Sequence, residues 1–315
     1  MALPTIDKTK PRKLNIQLAK GGDDLAIGRT VMVYGDSGLG KSTLLADLAE
    51  KFHKKYKKKI RLISAEDSTK SIFLPLIRAD IVEAIFITRI EEPIDVLREL
   101  SRGKWLNDAG ELVDGGLSDV CAYLLEGFTS FSESIQESNR DNRRFLGEQK
   151  DSSYTTQGGE VLALPGRFSY GFVQLEMIRF VRSFAMLPGI ERVVWTAHEN
   201  KGTEDGKPIK GPGSVGQAAT ATVQKHVGCL LHLDMIKGKR VLYFNRHPDA
   251  ESPLISYPSR LSIPLAGLKH FREKLGISGD YLEPQLGEDG RLTNTIFDLL
   301  EAEEYALKKI EESFK

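Results

Sequence analysis

Residues suited to phosphate chemistry cluster early in the chain. Gly35-Asp36-Ser37-Gly38-Leu39-Gly40-Lys41-Ser42, followed by Thr43, fits G-x-x-x-x-G-K-[ST] at every fixed position. The glycines let the backbone turn tightly enough for successive N–H groups to face one anion. A helix beginning near Lys41 adds the positive end of its dipole. In this spacing Lys41 reaches the β- and γ-phosphates of a nucleotide, and Ser42 ligates the Mg²⁺ that bridges them, so a nucleotide with Mg²⁺ is the expected ligand.

Other candidates stand where apolar runs end. Glu66 follows Ile60 to Ala65 and could orient or deprotonate the water that attacks a γ-phosphate; a loop acid or helix cap fits the position equally well. Glu126 ends Val120 to Leu125, the place for an acid that holds Mg²⁺ through water. Its extra methylene relative to aspartate would also let it act on the attacking water instead. His198 follows Arg192 to Ala197 and reads either as a structural histidine or as a sensor of the γ-phosphate. Asp119 lies at the wrong end of its run, and Asp234 is the fallback acid.

These residues need strands and helices to bring them together. Val31 to Tyr34 is a short apolar run before the glycine-rich turn, and Leu44, Leu45, Leu48, Phe52 and Tyr56 recur at helical spacing after it. With Ile60 to Ala65 this makes a βαβ unit and hence a parallel sheet, whose chemistry sits at the carboxyl ends of its strands. Ala84 to Ile90 is a further strand candidate, and Pro93 to Leu100 a short helix. Residues 104–116 suggest an inserted hairpin, and Val173 to Phe184 repeats at helical spacing. Val227 to Asp234 and Val241 to Phe244 are strands joined by a basic turn. Asn294 to Phe314 is an amphipathic helix with Ile296, Leu300, Leu307, Ile310 and Phe314 on one side.

Composition narrows the class. The 315 residues carry 44 basic and 44 acidic side chains, so no global field draws the protein to nucleic acid or membrane, and a DNA contact needs a local patch. The two cysteines, Cys121 and Cys229, lie in apolar runs and read as buried small hydrophobes of a reducing compartment. No signal-peptide core or bilayer-length run occurs, so a cytoplasmic protein without membrane contact is expected. The six lysines between Lys51 and Lys59 either bind nucleic acid or complement the dipole at a helix end, and the second reading is favoured.

The loop from Asn200 to Gly216 is rich in glycine and carries Lys201, Lys207 and Lys210, which could clamp a phosphate backbone; a plain surface excursion is the alternative. Lys239 and Arg240, in the basic turn, and Arg246 and Arg260 beyond it are candidates for a finger reaching a neighbouring subunit's nucleotide. A long polar loop spans about 136–166.

Taken in order, these features resemble a RecA-like ATPase over about residues 25–262. Ala65-Glu66 resembles the Ala-Glu that carries the catalytic glutamate of that superfamily, and the Thr196-Ala197-His198-Glu199 segment before a glycine-rich loop is similar to compact RecA-like ATPases of phage genomes, some linked to single-strand annealing and recombination. Glu126 stands where that family usually has Asp, and His198 where its recombinases commonly have Gln. The resemblance implies a three-layer α/β core at 25–265, with a mostly parallel sheet and antiparallel additions, between an arm at 1–24 and a helical extension at 266–315. It also implies ATP hydrolysis, single-stranded DNA as partner, self-association into a ring or filament, and single-strand binding or recombination proteins as further partners in a bacterial host. A DNA translocase or helicase-type motor, and a nucleotide-gated loader with weak hydrolysis, are the alternatives. A small-molecule kinase would have no need of the long order of features after the P-loop.

Overall fold

The computed structural model describes residues 30–87, 93–141, 167–200, 211–215, 220, 222–245, 259–288 and 290–315, together with the backbone of short strand pieces at 153–155, 161–163, 203–204, 207–208, 247–248 and 256–257. The expected arm at 1–24 lies outside these residues.

The principal strands are β1 (Thr30–Gly35), β2 (Lys59–Ser64), β3 (Val82–Phe86), β4 (Lys104–Leu106), β5 (Leu112–Asp114), β6 (Val120–Glu126), β7 (Arg192–His198), β8 (Cys229–Ile236), β9 (Lys239–Tyr243) and β10 (Tyr281–Leu282). The helices are α1 (Lys41–Tyr56), α2 (Thr69–Arg78), α3 (Pro93–Leu100), α4 (Phe128–Asp141), α5 (Arg167–Ala185), α6 (Leu268–Leu275) and α7 (Ile296–Ser313). One eight-stranded sheet runs β10-β9-β8-β1-β7-β6-β2-β3. Pairings from β8 to β3 are parallel, and β9 and β10 add antiparallel strands at one edge.

This is the expected three-layer α/β core, with a mostly parallel sheet and antiparallel additions. Both sheet faces are covered, which explains why the central strands read as unbroken apolar runs. On β1, Val31 and Val33 turn to one core with Leu44 and Leu48 of α1 and with Ile296 and Leu300 of α7. Met32 and Tyr34 turn to the other, with Phe128, Phe180 and Trp195.

The chain leaves β1 through α1 for β2, skips two strand positions, and fills them later with β6 and β7. The carboxyl ends of β2, β6 and β7 therefore lie side by side next to the turn after β1. Ser64 is in register with Glu126, and Gly35 with His198.

The hairpin insertion forms as β4 and β5. The buried Arg61 guanidinium anchors it, standing 4.4 Å from the Trp105 ring centroid and donating to the Gly115 carbonyl. The C-terminal helix forms too, with two differences from its expected face. Leu299, Ala302 and Ala306 join Ile296 and Leu300 in the core, whereas Phe314 follows the helix end and is 85% exposed. The lysine-rich run serves α1 and its neighbours: Lys51 pairs with Asp47, Lys54 with Glu50, Lys55 with Glu301 and Glu304, and Lys59 with Asp80. Lys54 and Lys55 also fall in the last turn of α1, where they complement its dipole.

Candidate functional site

Gly35 ends β1 and Lys41 begins α1, so the intervening loop wraps the sheet edge. Gly38 and Gly40 have φ of 78° and 93°, a left-handed backbone that disfavours any residue with a Cβ. Lys41 is buried, and its ammonium donates to the Gly35 and Asp36 carbonyls at 2.9 and 2.8 Å. Burial pulls the lysine pKa below its ordinary value, while Glu66, Glu126 and Asp36 pull it back up. The motif's cation is thus folded onto its own loop, within the field of two strand-end carboxylates.

Ser42 Oγ donates to Oε1 of Glu126. Ser42 and Glu126, both expected beside a metal, are thus in direct contact. Glu126 is 1% exposed and its Oε2 makes no hydrogen bond. Burial raises its pKa, eased by the Ser42 and Thr69 hydroxyls and reinforced by the charge of Glu66. A serine hydroxyl beside a carboxylate with an unmet oxygen is a donor set suited to a hard divalent cation such as Mg²⁺, which binds through one or two carboxylates plus phosphate and water. Asp234 lies on β8 with Oδ1 accepting from the Met235 N–H, and pairs across to Val241.

Glu66 stands just beyond β2 and faces His198, whose Nε2 lies 3.3 Å from Oε1. Ser130 Oγ also donates to that oxygen at 3.3 Å. The hydrogen bond with His198 lowers the Glu66 pKa most. Burial opposes it, and the charges of His198 and Lys41 add to the lowering. Glu66 is consequently ionised at neutral pH, as a residue that orients or accepts a proton from water must be. Gly127 makes room for it: φ is 93°, and a Cβ there would meet Glu66 Oε1 at 3.0 Å.

Sequence reasoning missed Thr69, Gly127, Thr129 and Ser130. The Thr129 hydroxyl accepts from the His198 N–H at 3.0 Å and donates to the Gly213 carbonyl at 2.9 Å. The Gly213 N–H in turn donates to the His198 carbonyl at 2.6 Å, which ties the returning end of the glycine-rich loop to this strand end. Phe128 and Phe131 follow Glu126 at helical spacing, so an α4 N-terminus, with its small polar residues, was the available signal.

The proposed DNA contacts Lys201 and Lys210 lie outside the described residues, and only the backbone is described at Lys207. Arg246 also lies outside them. Among the remaining finger candidates, Arg240 Nε donates to the Leu39 carbonyl of the chain's own P-loop at 2.7 Å. Lys239 pairs with Glu283 at 2.9 Å, and Arg260 donates to the Gln224 and Val227 carbonyls. No helix among the described residues is long and apolar enough to cross a membrane.

No family model matches the chain, and neither does any curated protein sequence. Among solved structures it is similar to the KaiC-like protein PH0186 from Pyrococcus horikoshii, at 11% identity and a TM-score of 0.41, covering 85% of this chain and 90% of that one. It is also similar to the flagellar accessory protein FlaH from Methanocaldococcus jannaschii, at 9% identity and a TM-score of 0.40, covering 86% and 90%.

Proposed function

We propose that this chain binds ATP with Mg²⁺ and hydrolyses it, and that turnover is linked to contact with single-stranded DNA. The convergence of Lys41, Ser42, Glu126, Glu66 and His198 on one sheet edge carries the ATPase reading. The P-loop N–H groups and Lys41 bind the phosphates. Ser42 would hold the cation and Glu126 would hold it through water, where its charge would offset that of the phosphates. Glu66, kept ionised and aimed by His198 and Ser130, orients the attacking water and receives its proton.

The DNA link rests on the loop after His198. Its ends return to the strand end through Asn200 N–H to the Gly211 carbonyl at 2.9 Å and through the Gly213 bonds, so a ligand on Lys201, Lys207 or Lys210 would pull on a segment joined to the water-positioning pair. Subunits associate in this proposal, and a basic side chain from one completes the neighbour's site. ATP turnover measured with and without single-stranded DNA tests the function. Turnover that falls away in Lys41→Ala and rises with DNA supports it. Turnover indifferent to DNA removes the DNA link, and DNA unwinding fuelled by ATP would favour a motor instead.

A further inference from the structure

Two buried oxygens beside the P-loop make no hydrogen bond, Oε2 of Glu126 and Oγ1 of Thr69. Both side chains are shut away from solvent. The sheet brings them together. Ser64 at the end of β2 is in register with Glu126, the Ala65 N–H donates to the Glu126 carbonyl at 3.1 Å, and the chain then turns through Glu66 into α2, whose first residue is Thr69. The Thr69 hydroxyl is close enough to the Glu126 carboxylate to ease its raised pKa, Ser42 takes Oε1, and Oε2 is the oxygen left over. Folded interiors rarely leave a buried hydroxyl and a buried carboxylate oxygen unmet at the same spot, and such pairs mark a place where an ion or a rearrangement completes the bonding.

We propose that Thr69 is the positioning residue for Glu126, donating its hydroxyl proton to Oε2 so that Oε1 is presented to Ser42 and the cation. The inference rests on the Mg²⁺–nucleotide reading above. Its physical basis is the side chain's length. Glutamate has one more rotatable bond than aspartate, so its carboxylate needs a second anchor to be held as firmly, and Thr69 is placed to provide it. Groups that orient a metal-holding carboxylate in this way matter nearly as much as the ligand itself.

The test measures Mn²⁺ affinity of the ATP-analogue-loaded full chain by electron paramagnetic resonance, alongside binding of a fluorescent ATP analogue in EDTA. Thr69→Val, which keeps the shape and removes the hydroxyl, is expected to weaken Mn²⁺ binding about tenfold or more. Metal-free nucleotide binding should stay within about twofold, and Thr69→Ser should restore Mn²⁺ affinity. In a Glu126→Asp background, where the shorter carboxylate falls away from Thr69, Thr69→Val should add little. Native Mn²⁺ affinity in Thr69→Val, or equal losses in Thr69→Val and Thr69→Ser, would overturn the proposal. Because no hydrogen bond of the fold depends on this hydroxyl, Thr69→Val and Thr69→Ala are both expected to fold, and failure of both would assign Thr69 a purely structural role. A native chain whose nucleotide binding is absent, or indifferent to Lys41→Ala, would overturn the functional reading itself before any Thr69 variant is compared.

Discussion

His198 Nε2 lies 3.3 Å from Glu66 Oε1, although the strands that deliver the two residues are separated in the sheet by β6. Glu126 ends that intervening strand, so one histidine reaches past the strand bearing the acid proposed for the metal to the acid proposed for water. Replacing His198 with Ala removes a hydrogen bond to an ionised group, worth about 1.5–3 kcal/mol. ATP turnover should fall roughly tenfold to a hundredfold while nucleotide affinity changes little. His198→Gln, which keeps a donor there, should retain more of the rate, and steady-state kinetics of the two variants measures the difference.

Gly127 should tolerate no side chain. Its φ of 93° makes alanine cost about 1–2 kcal/mol through the backbone alone. The added Cβ would press on Glu66 as well. Gly127→Ala should lower both denaturation midpoint and turnover, whereas Gly110→Ala, at a φ of 78° with open space around it, should cost stability only. Urea titration beside an ATPase assay separates the two effects.

Acid should loosen the C-terminal helix. Burial raises the Glu304 pKa, but hydrogen bonds and charges from Lys55 and then Arg192 more than reverse this, and the folded value lies below the ordinary 4.5. A depressed carboxylate contributes stability that is present above the unfolded pKa and lost as pH falls through the folded one. Hydrogen exchange in α7 should therefore quicken below about pH 4.5, and Glu304→Gln should flatten that part of the profile. An unchanged acid profile in Glu304→Gln would show that other groups hold the helix.

Much of this arrangement was legible in the sequence because its main residues end apolar runs. Val31 to Tyr34, Ile60 to Ala65, Val120 to Leu125 and Arg192 to Ala197 form strands close to those bounds, and parallel pairing puts their carboxyl ends at one edge. Thr69, Thr129 and Ser130 were not legible. Small polar residues at helix starts are common, and what sets these apart is a partner far along the chain, as Ser130 lies 64 residues from Glu66. Arg240, one of the finger candidates, is held by the β8–β9 hairpin against Leu39, a contact across 201 residues that no local pattern encodes. Phe314 kept the apolar spacing of α7 past the helix end, where nothing is left to pack against.

The most direct test of the account compares ATP binding with single-turnover hydrolysis in Glu66→Gln, which preserves shape and removes the charge that His198 and Ser130 hold in place. Binding should remain within a few-fold of the native chain, while the hydrolytic step slows by about a hundredfold or more, the scale of general base catalysis. Hydrolysis at the native rate in Glu66→Gln, with the loss appearing in Glu126→Gln instead, would contradict it and make Glu126 the residue that acts on water.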